Sequence, residues 1–218
     1  MAHLVHASDR ALLVVFDDAM TPASARDVRV LEAWLREDPP EALVDLHPAY
    51  ATLLIRYDPL RCDPEALAEE IARRAGSLSG RPEAKSRSFT IPVRYGGVYG
   101  PDLSEVAAAT GLSEHEVVAA HAGAEYEVRF IGFSPGFPYL AGLPERLHTP
   151  RREAPRRQVE AGSVAIAGAQ AGIYPCGSPG GWNILGRTDF VLFDPTLAAG
   201  AILSPGDRVR FVAAASGS

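Results

Sequence analysis

Hydrophobic positions fall into two regimes along this chain. Up to about Ile91 they form short runs separated by helical stripes, and beyond that they form short runs cut by glycine and proline. Ala11–Phe16 (ALLVVF) reads as a central strand. Thr21-Pro22 then offers an N-cap with proline at the first helical position. Val28, Leu31, Trp34 and Leu35 recur at helical spacing, and the helix must stop before Pro39-Pro40, because a residue preceding proline is pushed out of the α region. Ala42–Leu46 and Ala51–Tyr57 read as a hairpin joined through His47-Pro48. Asp63-Pro64-Glu65 starts a second helix with Leu67, Ile71 and Ala75 on its buried face and Gly76 as its stop. The order β-α-β-β-α, leading to a strand at Phe89–Val93, predicts a split βαβ arrangement in a small α+β domain. Ser77 to Arg87, rich in Ser, Gly and Arg, is the expected linker, dividing the chain into domains 1–85 and 86–218.

In the second regime the pattern predicts two short helices started by capping boxes, Asp102 with Glu105 and Ser113 with Glu116, and stopped at Gly111 and Gly123. Glu125–Phe133 places Tyr126, Val128 and Phe130 on one face of a strand. Further strands are expected at Gly162–Ala167, Gly172–Tyr174, Trp182–Arg187, Phe190–Phe193 and Arg208–Val212. Many short strands between Gly/Pro turns argue for a mainly β barrel or sandwich.

Composition narrows the function classes. With 218 residues there is room for one or two domains, and 47% hydrophobic with 22% charged residues is ordinary for a globular protein. The 21 basic against 27 acidic side chains leave a net charge of -6, which argues against a nucleic-acid partner. Cys62 and Cys176 are too few for a disulfide framework or a thiolate metal site. No run approaches the roughly 20 apolar residues of a membrane span, so a soluble cytoplasmic protein without a membrane partner is expected.

Candidate chemistry concentrates between Phe130 and Asp189, where ten of the 20 glycines and seven of the 18 prolines fall. Such a stretch describes shaped loops on strands, a common basis for binding surfaces. Gly132-Phe133-Ser134-Pro135-Gly136 has the letters of a nucleophile elbow, but Pro135 lacks the N–H that would form half the oxyanion hole. The segment reads instead as a turn presenting Phe133 and Phe137. His115 and His121 do not share a helix face and lack a metal-binding pattern; a packing or capping role is expected for His121. His148 lies beside Thr149-Pro150 and the arginines. Arg151, Arg152, Arg156 and Arg157, with Arg146 nearby, form the densest positive cluster, suited either to a carboxylate or phosphoryl group or to solvent and an acidic partner. The glycine-rich stretches at 168–172 and 178–181 carry neither a Walker lysine nor a dinucleotide fingerprint. Tyr139, Tyr174 and Trp182 flank these turns, as core or as the wall of a pocket or interface.

Three spaced motifs, GFSPGFPYL at 132–140, TPRREAPRRQVEAGSVAIAG at 149–168 and QAGIYPCGSPGGWNILGRTD at 170–189, together resemble the KipI/PxpB family. The similarity extends through VRYGGVYGPDLSEVAAATGLS at 93–113 and RALLVVF near the start. Arg94 and Ala171 stand where family members often carry cysteine and threonine. The family's members are described as the B subunit of 5-oxoprolinase, as inhibitors of a sporulation histidine kinase, or as allophanate hydrolase subunit 1.

The resemblance implies a ferredoxin-like N-terminal domain and a cyclophilin-like C-terminal barrel. It implies an enzyme component that is not autonomous, working with two further 5-oxoprolinase subunits, the A type and the C type, the latter like KipA or allophanate hydrolase subunit 2. Together these would use ATP, with Mg, to open 5-oxo-L-proline to L-glutamate. Two alternatives accompany it: an inhibitor of a sensor histidine kinase, and the carboxyltransferase half of a biotin-dependent urea carboxylase-like system. On the main reading Arg151 and Arg156 steady an anion, Gln170, Tyr174 and Trp182 line the pocket, and Phe133, Phe137, Tyr139, Ser178 and Arg187 belong to the surrounding loops or an interface. No residue is assigned a catalytic role, and no metal site is expected in the chain.

Overall fold

The computed structural model describes residues 2–83, 85–197 and 200–214. The chain forms two compact units, Met1–Lys85 and Ser86–Ser218. The first contains β1 (His3–Ser8), β2 (Ala11–Val15), α1 (Pro22–Glu37), β3 (Leu43–Pro48), β4 (Thr52–Tyr57) and α2 (Pro64–Ala75). Thr21 caps α1 as expected: its hydroxyl accepts from the Ser24 amide at 3.1 Å, and Ser24 Oγ accepts from the Thr21 amide at 3.1 Å. The helix ends at Glu37, just before the proline pair. Val28, Leu31 and Leu35 on α1 and Leu67 and Ile71 on α2 pack against Leu12, Val14, Leu53 and Ile55 of the sheet.

All four strands are antiparallel in the order β1-β2-β4-β3. The position beside β2 is filled by β1, not by the expected strand at Phe89–Val93, which belongs to the second unit. β1 gives little hydrophobic signal because it is an edge strand whose residues are almost all exposed. The expected linker is also partly ordered. Leu78 is buried, the Arg81 guanidinium lies 3.3 Å from the Trp34 ring centroid, and Glu83 pairs with Arg29 at 2.7 Å, so this stretch packs back onto α1.

The second unit contains β5 (Ser88–Tyr95), α3 (Leu103–Thr110), α4 (Glu114–Ala122), β6 (Glu125–Ile131), β7 (Pro138–Ala141), a 3-10 turn (Glu145–Leu147), β8 (Arg156–Val159), β9 (Ser163–Ala167), β10 (Gln170–Ile173), β11 (Ser178–Gly180), β12 (Asn183–Arg187) and β13 (Arg208–Ala213). Seven strands close a barrel in the order β10-β7-β6-β13-β5-β12-β9, which resolves the barrel-or-sandwich alternative, and β8 and β11 form a separate two-stranded ribbon. Every barrel strand contributes to one interior, with Ile91, Val128, Leu140, Ile166, Ile173, Leu185 and Phe211 among its residues. Phe190–Phe193, expected as a strand, makes only an isolated bridge between Phe193 and Ala201. β7, β8 and β11 have no clear sequence signature because each is only three or four residues long. Among the described residues no helix is long and apolar enough to cross a membrane.

The Ser113–Glu116 capping box forms, with the Glu116 carboxylate accepting from the Ser113 amide at 2.8 Å. The Asp102–Glu105 box does not. Asp102 makes no side-chain cap, because its carboxylate is held by groups distant in sequence.

Candidate functional site

The strand wall β7–β10–β9–β12 is covered on both faces, and the outer face carries the notable arrangement. Along β9, Val164 and Ile166 join the barrel interior, whereas Ala165 and Ala167 join a second cluster with Phe137, Val159, Tyr174, Trp182 and Ile184. Side chains that alternate across a strand explain the division. Gly172 of β10 sits between Ala165 and Tyr139 in register. A Cβ there would lie 2.8 Å from Phe137 Cζ and 3.0 Å from Trp182 Cζ3, so both rings rest on bare backbone. Gly180 similarly makes room for the Tyr174 hydroxyl, which would stand 2.3 Å from a Cβ.

The rings meet edge to face: Phe137 contacts Tyr174 at 5.2 Å and Trp182 at 5.5 Å between centroids, and Tyr139 contacts Trp182 at 5.7 Å. Burial pushes the Tyr174 phenol upward against the opposing effect of a hydrogen bond to the Trp182 backbone. Phe133 lies at the rim of this cluster. It is 61% exposed and, with φ 65°, is the one non-glycine residue of positive φ among those described. Its ring stands edge-on to Phe137 at 5.4 Å and to Tyr174 at 6.2 Å. The turn around it is closed by Gly132 N–H to Phe137 O at 3.1 Å and Phe137 N–H to Ser134 O at 3.0 Å. It leads into strand β7, not a helix, so the elbow geometry of a serine nucleophile is absent here.

The arginine cluster divides by environment. Asp102, 1% exposed, accepts from Arg152 at 2.7 Å, from Arg156 Nη1 at 2.9 Å and from the Ile184 amide at 2.7 Å. Arg152 also pairs with Glu105 at 2.7 Å. Both guanidinium groups are therefore engaged with carboxylates. Arg151 is exposed and reaches the face of Trp182, 6.0 Å from its ring centroid. Arg151 and Arg152 border a cavity of about 420 Å³ between α3 and the segment 149–154, whereas Arg156 and Arg187 border another of about 140 Å³ near Tyr99 and Gln158. Arg187 donates to Ala161 O at 2.9 Å and pairs with Glu160 at 3.2 Å.

The structure thus brings Arg151, Trp182, Tyr174, Phe137, Phe133 and Tyr139 together, and puts Arg156 and Arg187 at the smaller cavity. Gln170 is a partly buried residue of β10, and Ser178 lies in β11 with its hydroxyl buried. His148 is exposed with Nε2 3.1 Å from Leu143 O, a local contact. His121 is fully buried, stacked on Phe211 at 4.7 Å with Nδ1 2.7 Å from the Tyr95 hydroxyl. Burial pushes its pKa down to about 3. Sequence reasoning missed Asp102 as the organiser of the arginines, because its capping-type spacing to Glu105 described a local role and its real partners lie about 50 to 80 residues away. Among the described residues no group of three or more His, Cys, Asp or Glu could hold a metal ion.

The second unit is a closed barrel with an aromatic outer face and adjoining arginines, and the first is a small α+β unit. The chain belongs to the carboxyltransferase domain, subdomain C and D, family, whose model matches residues 2–203. It is 53% identical over 153 residues to the B subunit of 5-oxoprolinase from Escherichia coli O157:H7, covering 69% of this chain and 70% of that one. It is 36% identical over 214 residues to the B subunit of 5-oxoprolinase from Bacillus subtilis (strain 168), covering 94% and 89%. These relatives bear out the KipI/PxpB resemblance. The crystal structure of TTHA0988 superposes with a TM-score of 0.81 at 42% identity over 95% of this chain, which spans 40% of the length of that chain.

Proposed function

We propose that this chain is the B subunit of a multi-subunit 5-oxoprolinase that opens 5-oxo-L-proline to L-glutamate in the cytoplasm, using ATP with Mg. What carries the reading is the likeness to two proteins named as the B subunit of 5-oxoprolinase, one of them aligned over 94% of this chain. On this reading the four-stranded first unit, its edge filled by β1, is a ferredoxin-like domain and the seven-stranded barrel a cyclophilin-like one.

Lactam resonance makes 5-oxoproline a poor electrophile, so its opening needs an activated oxygen. This chain's contribution is to bind and orient. Arg151, exposed beside Trp182, steadies the substrate carboxylate, while Trp182 and Tyr174 exclude water from one side of the ring. Arg156, already paired with Asp102, shapes the site through its neighbours and leaves anion capture to Arg151. Gly168 lies in the β9–β10 turn and 178–180 forms β11, so neither opens a helix whose amides could cradle phosphates. On this reading the ATP site is shared with a partner subunit.

The test is reconstitution with the A and C subunits, ATP, Mg and 5-oxoproline. Glutamate release should require this chain, and Arg151→Ala should lower kcat/KM by about tenfold or more, the loss of one charge-assisted contact. Release that is unchanged when the chain is omitted would overturn the proposal. The family's carboxyltransferase description favours a second reading, transfer of the carboxyl group of carboxybiotin on a carrier protein to urea, which leaves biotin on the carrier and which the same mixture tests when supplied with that carboxylated carrier and urea.

A further inference from the structure

The cavity of about 420 Å³ between α3 and the segment 149–154 has an unusual charge balance. Four charged side chains line it: Glu105, Arg151, Arg152 and Glu153. Arg152 and Glu105 close on each other at 2.7 Å, and Arg152 is further held by Asp102. That leaves one cation and one anion, Arg151 and Glu153, both exposed. Among the described residues neither has an ion-pair partner, and they do not pair with each other. Between the charged groups the lining mixes apolar Val106 and Ala109 from α3 with the polar side chains of Thr149 and Asn183.

The cavity walls are fixed in advance. Arg152 N–H bonds Gly181 O at 2.9 Å, Asn183 Nδ2 donates to Pro150 O at 2.8 Å, and Gly168 N–H bonds Thr149 O at 2.6 Å. The segment carrying Arg151 and Glu153 is thereby tied to β12 and to the β9–β10 turn, so little ordering cost opposes a ligand.

We propose that this cavity binds a small α-amino-acid zwitterion, its carboxylate on Arg151 and its ammonium on Glu153. Resting on the function proposed above, the amino acid is L-glutamate, the product. Chemistry separates it from the substrate. The nitrogen of 5-oxoproline is a neutral amide that offers Glu153 no positive charge, whereas opening the ring turns that nitrogen into an ammonium. Both molecules can set a carboxylate on Arg151, but the opened form adds an ammonium for Glu153, so the cavity holds product more tightly than the lactam.

Calorimetric titration of the full chain with L-glutamate, L-alanine, glutarate and 5-oxo-L-proline tests this. L-Glutamate should bind, and glutarate and 5-oxo-L-proline should each bind more weakly at this site. Glu153→Gln should weaken L-glutamate by about tenfold and leave glutarate unchanged or tighter, whereas Arg151→Gln should weaken both. Both residues are exposed, and a thermal melt of each variant confirms folding. No binding of either amino acid overturns the cavity proposal whatever the complex does. Binding of L-alanine without L-glutamate keeps the zwitterion site and refutes the product assignment. Equal weakening of glutamate and glutarate by Glu153→Gln also overturns the ammonium role.

Discussion

The two faces of the β9–β10 wall are made of the same strands and differ in what they support. Inward, Val164, Ile166, Ala171 and Ile173 fill a barrel core to which all seven strands contribute. Outward, Ala165, Ala167 and Gly172 are small, and large rings from other segments lie over them. An aliphatic interior tolerates volume-conserving exchange. A platform of small residues beneath Phe137 and Trp182 has little room for additions and depends on rings contributed from elsewhere. The difference teaches that the aromatic platform is built on the outside of the barrel, from segments whose positions the barrel sets.

The largest test of that contrast is truncation on each face. Phe137→Ala should destabilise the fold by about 3–5 kcal/mol, because it removes the ring that joins Phe133, Tyr139, Tyr174 and Trp182. Ile166→Val on the inner face should cost only about 0.5–1.5 kcal/mol. Chemical denaturation measures both, and equal losses would erase the distinction. Next comes Asp102→Ala, which leaves Arg152 and Arg156 without their shared carboxylate. About 3 kcal/mol is expected, at the low end for a broken buried pair because both guanidinium groups keep roughly a quarter of their side chains in contact with solvent. A loss below about 1 kcal/mol would remove Asp102 from its organising place.

The packing of α4 on the barrel has its own signature in pH. His121 carries a folded pKa of about 3, below its unfolded value, so between about pH 6.5 and pH 3 the unfolded chain binds the extra proton. Stability should fall as pH drops through that window, with a slope approaching about 1.4 kcal/mol per pH unit from this group, and should show no His121 contribution above it. His121→Phe, which keeps a ring against Phe211, should flatten that slope, and an unchanged slope would assign the acid sensitivity to other groups. The smallest effect is expected at Phe133→Gly. Relief of the left-handed backbone offsets the loss of a mostly exposed ring, leaving stability within about 1 kcal/mol. Reconstituted turnover should nevertheless drop if the rim contacts substrate or partner, and full activity would make the strained phenylalanine dispensable.

Much of the first unit was legible in sequence because its signals are local. Thr21-Pro22, the Val28–Leu35 stripe and Asp63-Pro64 each describe contacts within one helix or between neighbouring elements. The edge strand His3–Ser8 was not legible, since an exposed edge leaves no hydrophobic alternation to read. In the second unit the motifs around 132–140 and 170–189 supply rings that do cluster on the outer face of the barrel, and their glycine and proline turns with interspersed aromatics are visible without a fold. Which arginines were engaged was not visible.

Residue type and order by themselves determined the α1, α2 and α4 caps, the short-strand character of the second half and the family resemblance, all consequences of near-neighbour chemistry. Tertiary structure alone decided that Asp102 would abandon its helix to hold Arg152 and Arg156, and that Arg151 would reach Trp182. It also decided that Gly172 would lie beneath two rings. The physical reason is that a carboxylate's or a ring's partner is set by barrel closure, which joins Asp102 to Ile184, 82 positions away, and Arg87 to Asp207, 120 positions away, pairs that no local pattern relates.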